Sequence, residues 1–135
     1  MISEHIDNID NPSLLSPLTL AYIGDAVYEL YVRNRIICEH TDMPPHKLHL
    51  LSIKYVKANA QSNSINYLEN ELTDDEMAIY KRGRNAKSAT IPKNADIADY
   101  RRATGFEALL GFLYLKHNSE RLEYLMHSAY EHNKI

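Results

Sequence analysis

The chain is poor in the residues that would mark a secreted, membrane-bound or zinc-stapled protein. Cys38 is the one cysteine among 135 residues. It has no second cysteine in this chain to pair with, and no Cys cluster offers a structural zinc site. Both facts fit a reducing, cytoplasmic setting. No apolar run reaches the ~18 residues of a membrane-crossing helix, and the acidic start MISEHIDNID lacks a basic-then-apolar leader pattern. No membrane partner is expected. Alternation of apolar and polar residues is missing over any useful length, so no sheet is expected. Repeats, low-complexity linkers and composition shifts are missing as well. The expectation is one domain over residues 1–135, long enough to bury its own core.

Glycine is also scarce, with four in all, and three of them (Gly24, Gly105 and Gly111) fall inside helical patterns. Each costs up to about 1 kcal/mol relative to alanine in a helix interior. Close approach of two helices is the packing reason that would justify them. The helices carrying them are the two most apolar in the chain, so they are expected to cross near these glycines.

What is present is helical periodicity almost throughout, and the fold class expected is all-α. Ser16 and Pro17 read as the N-cap and first residue of a helix running to about Ile37. Met43-Pro44-Pro45 opens a second helix, expected to run to about Ser62, with Ile65 and Leu68 continuing its pattern. Thr73-Asp74-Asp75-Glu76 is a capping box for a helix through Tyr80, and Gly83 fits its end. Residues 84–94 read as a loop. A long helix follows from about Asp96 to His117, and Asn118 or Ser119 caps the last one.

Charge is uneven. The net charge is −3, yet residues 81–102 hold seven Lys/Arg against Asp96 and Asp99, an excess of five positive charges on an acidic body. A solvated loop is the ordinary explanation for such a run. A polyphosphate backbone is the obvious partner if it has one.

Each glycine-bearing helix also carries a carboxylate: Asp25 in LAYIGDAVYELYV and Glu107 in ATGFEALLGFLYL. If the helices cross at their glycines the carboxylates meet. They then repel and raise each other's pKa unless a cation sits between them. A divalent cation such as Mg2+ suits hard oxygen ligands and keeps several waters. Ion pairing with Arg33 or Arg101 is the structural alternative, at least as frequent from spacing alone. His46 and His49 lack a third ligand, and a capping or solvated role suits them better. Glu29 either helps order a metal-bound water or pairs with Arg33 one turn on. The ten tyrosines are expected in the core and at a subunit interface.

LAYIGDAV (residues 20–27) resembles the ribonuclease III signature Leu-Glu-Phe-Leu-Gly-Asp-Ala-Val. ATGFEALLGFLYL (103–115) resembles that family's second motif, Ala-Asp-x-x-Glu-Ala-x-x-Gly-x-x-Tyr-Leu. With KRGRNAKSATIPKNAD between them, nearly the whole chain is similar to the short Mini-ribonuclease III group, a catalytic domain without an appended RNA-binding domain. The resemblance implies an all-helical, homodimeric, Mg2+-dependent endoribonuclease acting on double-stranded RNA. Asp25 and Glu107 match the metal-binding, catalytic carboxylates. Ala21 and Thr104 stand where the larger enzymes have a glutamate and an aspartate, which leaves the number of metals open. Tyr22, Thr104 and backbone carbonyls are the candidates to hold waters that complete the metal shell. Lys81, Arg82, Arg84, Asn85, Lys87 and Ser88 are the candidate RNA-binding residues, with Lys93, Arg101 and Arg102 extending that surface. One of Arg101 and Arg102 is instead expected to pair with Asp99 or Glu107. For this group the substrate expected is the precursor of 23S ribosomal RNA, with a substrate-bound ribosomal protein as a further candidate partner. The alternatives are a helical double-stranded-RNA-binding module that has lost catalysis, and a protein-interaction module whose basic loop docks on an acidic protein.

Overall fold

The computed structural model describes residues 4–88 and 90–134; Met1–Ser3 of the acidic start and Ala89 of the basic loop lie outside the described residues. Among the described residues there are helices and turns and no strand. Six α-helices follow two short N-terminal 3-10 turns: α1 (Pro17–Glu39), α2 (Pro45–Val56), α3 (Ala58–Leu68), α4 (Asp74–Asn85), α5 (Ile97–Leu115) and α6 (Ser119–His132). Local capping chemistry sets most of the starts. Ser16 Oγ accepts from Thr19 N–H (3.1 Å), and Asp96 Oδ1 accepts from Asp99 N–H (2.9 Å). Thr73 and Glu76 form a reciprocal capping box.

Two boundaries differ from the expectation. The second helix does not run on to Ser62: it breaks at Lys57, whose backbone is extended (φ −64°, ψ 156°), and α3 begins one residue later. Neither glycine nor proline marks the break. The carbonyl of Val56, freed by it, instead accepts from the Gln61 side-chain amide (2.8 Å). The fourth helix passes through Gly83 and ends at Asn85. Gly83 is therefore a packing position: a Cβ there would lie 2.8 Å from Gly105 Cα and from Ala108 Cβ on α5.

The core is organised around α5, which packs against α1, α3, α4 and α6. Ten of its 19 residues are buried, so little of its circumference faces water. Phe106, Leu109, Leu110 and Leu113 meet Leu20, Tyr28 and Val32 of α1, Ile65 and Leu68 of α3, and Leu125 of α6 in one apolar cluster. The expected crossing is resolved into two. Gly24 faces Gly111 where α1 crosses α5, whereas Gly105 faces Gly83 and Tyr80 where α4 crosses α5. No helix among the described residues is long and apolar enough to cross a membrane.

Candidate active site

The α1–α5 crossing determines which side chains can meet. A Cβ built on Gly24 would sit 2.7 Å from the carbonyl carbon of Glu107 and 2.8 Å from the Gly111 nitrogen. Nothing larger than hydrogen fits there, so the two backbones are in direct contact. Asp25 follows Gly24 and Glu107 lies opposite, close enough for the Asp25 carboxylate to raise the pKa of Glu107. Asp25 is on the exposed side of the pair, and Glu107 is mostly covered.

Burial pushes the Glu107 carboxyl up to about 8, with the neighbouring Asp25 carboxylate as the second cause. One group opposes the shift: Gln61, whose Nε2 donates to Glu107 Oε2 at 3.4 Å. Among the described residues no arginine, lysine or histidine pairs with Asp25 or Glu107. The ion-pair alternative is thus not realised. Arg33 is taken by Glu29 (3.0 Å) instead, and Arg102 by Asp99 (3.8 Å). Two oxygen donors that repel each other, one of them covered, fit a hard divalent cation. No group of three or more His, Cys, Asp or Glu converges among the described residues. Water or an RNA oxygen would have to supply the other ligands.

Thr104 lies one turn before Glu107 on α5, and Tyr22 one turn before Asp25 on α1. Tyr22 is 81% exposed and open to solvent. The Thr104 hydroxyl donates to Tyr100 O (3.0 Å), which leaves its oxygen free to accept. Ala21, which stands in place of the family's glutamate, is buried in the core.

The candidate RNA-binding residues divide in two. Lys81, Arg82, Arg84 and Asn85 belong to the last turns of α4 and not to a loop; Lys87 and Ser88 follow it. Lys81, Arg84 and Asn85 share one face by their i, i+3, i+4 spacing. Arg82 is turned away, donating to Ser13 O (2.8 Å) and Leu15 O (3.1 Å), and so ties the N-terminal turn to α4. Lys87 and Ser88 line a cavity of about 270 Å³ with Tyr100, Arg101 and Thr104. Thr104 thus lines this cavity from a position one turn before Glu107 on α5. The loop rim is fixed by Ser88 Oγ and Tyr100 Oη, both donating to Thr90 O (3.1 and 3.4 Å).

One polar residue at the site was not singled out from the sequence. Gln61 falls on the same face of α3 as Ile65 and Leu68, and only 2% of it is exposed. An amide interrupting an apolar stripe was the available signal.

Comparison with known proteins gives a consistent picture. The family model described as "Ribonuclease III domain" matches residues 18–118. A Mini-ribonuclease 3 of Clostridium tetani is 52% identical over 112 residues, covering 83% of this chain and 74% of that one. The Mini-ribonuclease 3 of Staphylococcus aureus is 51% identical over 115 residues, 84% of this chain and 85% of the relative. That of Symbiobacterium thermophilum is 46% identical over 119 residues, 88% and 91%. A Fusobacterium nucleatum protein solved by X-ray crystallography superposes with a TM-score of 0.80 at 27% identity, over 90% of this chain and 96% of that one.

Proposed function

This chain belongs to the ribonuclease III family and is an endoribonuclease of that type, and we propose that it cuts double-stranded RNA as a Mg2+-dependent homodimer that trims the ends of precursor 23S ribosomal RNA. The observation that carries the reading is the pair Asp25–Glu107, brought together at a backbone contact with no cationic side chain paired to either among the described residues. Such a pair is costly for stability alone and is useful where a divalent ion is to be held.

In this reading Asp25 and Glu107 are the catalytic carboxylates that hold the ion. The exposed Asp25 faces the incoming phosphate, and Glu107 anchors from the covered side. Tyr22 and Thr104 stand at the two flanks, where water would complete the shell. A bound Mg2+ would supply the acidity of a coordinated water and neutralise charge building on the phosphate. Lys81, Arg84, Asn85, Lys87 and Ser88 would grip the RNA backbone, as suits a duplex read through phosphates and 2′-hydroxyls rather than base edges. Arg82 serves them indirectly by holding the N-terminal turn.

The homodimer is supported by the outward face of α1, where Tyr22, Leu30 and Ile37 are all more than half exposed. A two-fold axis there would give two equivalent sites to two antiparallel strands. The ribosomal RNA substrate rests on the likeness to the Mini-ribonuclease III group. A ribosomal-protein partner gains no support from the described surface.

The test is cleavage of a model RNA duplex across a Mg2+ titration, joined to end mapping of cellular ribosomal RNA after depletion of the protein. Unprocessed 23S ends on depletion are expected. Metal-independent cleavage, or no cleavage of any duplex, would overturn the reading.

A further inference from the structure

We propose that Gln61 is a positioning residue for Glu107, fixing the carboxylate so that it presents its free oxygen to the metal. The inference rests on the metal reading above. Its basis is the way the amide is wired. Nε2 carries two hydrogens. One goes to Val56 O at 2.8 Å, the carbonyl left open where α2 stops, and the other points to Glu107 Oε2 at 3.4 Å. The backbone N–H of Gln61 is bound in turn to Lys57 O (3.1 Å), so the residue is held at both ends of the α2–α3 break. Rotating the amide by half a turn would set its oxygen against two other oxygens. The nitrogen therefore faces Glu107 in one orientation only.

The rest of the side chain carries a cost. Gln61 Oε1 is buried with no hydrogen-bond partner among the described residues. An apolar residue on this stripe would avoid leaving a buried oxygen unpaired. Capping Val56 alone does not require an amide that reaches across to α5. The donor also has a chemistry that fits its place. A lysine or arginine there would neutralise Glu107 and compete with a cation, and a glutamate would add a third repelling carboxylate. A neutral donor orients the carboxylate and leaves its charge for the metal, as hydrogen-bond partners of metal-binding carboxylates do.

Gln61→Met keeps length and bulk and removes the donor. The readout is the Mg2+ or Mn2+ concentration giving half of the metal-induced rise in melting temperature, measured without RNA, with the half-saturating metal for duplex cleavage alongside. Both midpoints are expected to rise about 10- to 100-fold, with most of kcat restored at saturating metal. A variant that melts lower yet keeps the wild-type midpoints would overturn the proposal and leave Gln61 as a cap for α2. If the methionine variant does not fold, Gln61→Asn, whose amide is one methylene too short to serve both partners, is read by the same criterion. Wild-type protein that shows neither metal-induced stabilisation nor metal-dependent cleavage would overturn the metal reading itself, and this inference with it.

Discussion

Gly24 of α1 lies against the backbone of Glu107 of α5 so closely that a methyl group on Gly24 would overlap the Glu107 carbonyl. The glycine and the carboxylate pair are therefore one feature: the contact that excludes a Cβ also limits how far Asp25 can stand from Glu107. Gly24→Ala must push the helices apart, because the obstructing atoms are backbone and cannot rotate away. A loss of at least about 2 kcal/mol in denaturant unfolding is expected, as for overpacked cores. Cleavage by the fraction that remains folded should fall as well, since the carboxylates separate. Gly111→Ala, which would meet the Leu20 carbonyl from the other side, should behave alike. Wild-type turnover by folded Gly24→Ala protein would show that the spacing of the pair is not critical.

The basic segment should separate by role. Lys81→Ala and Lys87→Ala each remove a charge with no partner among the described residues. Each should lower the salt slope of duplex-RNA binding by somewhat under one unit, given about 0.9 per phosphate contact on B-DNA. Their melting temperatures should stay near wild type. Arg82→Ala should do the reverse, because its guanidinium is bound to the Ser13 and Leu15 carbonyls. A stability loss of about 1 kcal/mol, discounted for exposure, is expected with little change in salt slope.

Away from the site, Glu76 is nearly fully buried and receives two bonds from Arg121, Nε to Oε2 (2.8 Å) and a terminal nitrogen to Oε1 (2.9 Å). Burial alone would raise its pKa, but the Arg121 guanidinium and the Thr73 N–H outweigh it and hold the carboxyl below its ordinary range. A lowered folded-state pKa contributes stability above the unfolded value and loses it as pH falls through the folded one. Arg121→Ala should cost about 3 kcal/mol at neutral pH by leaving a buried charge unpaired. It should also flatten the fall in stability below about pH 4.5, which urea unfolding at pH 7 and pH 3.5 would reveal.

Assembly is tested on α1. Leu30 is 54% exposed on its outward face and takes no part in the carboxylate pair. Leu30→Glu would bury a charge at a two-fold interface built on that face. Sedimentation of the wild type as a dimer and of Leu30→Glu as a folded monomer is the expected result. A wild-type monomer with full activity at micromolar concentration would exclude the dimer.

The helix starts were legible because their chemistry is local: Ser16, Thr73, Asp96 and Asn118 each act within three residues of themselves. The meeting of Asp25 and Glu107 was legible for a different reason, since two scarce glycines in apolar helices call for close packing. What escaped depends on partners distant in sequence or on a side chain standing in for backbone. Arg82 looked like its basic neighbours, and only the fold brings it to Ser13, 69 positions away. Gly83 carries the same signal whether it ends a helix or packs against Gly105. The break at Lys57 leaves no mark in residue type because Gln61, further along the chain, satisfies the carbonyl it frees.

The carboxylate pair makes the most direct prediction. Burial first, and Asp25 second, raise Glu107 to about 8 in the metal-free protein, well above its unfolded value. Between roughly pH 5 and pH 8 this group therefore holds its proton in the folded chain and loses it in the unfolded one. The stability that this group contributes is complete below the unfolded pKa and is lost as pH rises through about 8. Melting temperature in metal-free buffer should accordingly carry a falling component over that range. Glu107→Gln, which does not titrate, should lack it. Mg2+ should reverse the loss, and its affinity should rise with pH and level off above about 8, because the proton must leave before the ion can be held. Asp25→Asn removes the repulsion as well as a ligand. It should melt at least as high as wild type without metal, gain little from Mg2+, and lose duplex cleavage by at least about a hundredfold. RNA binding should persist in both variants. Melts from pH 5.5 to 9 with and without Mg2+, set beside cleavage rates, decide the matter. Near-normal cleavage by Asp25→Asn, with a wild-type response to Mg2+, would remove the pair from the chemistry.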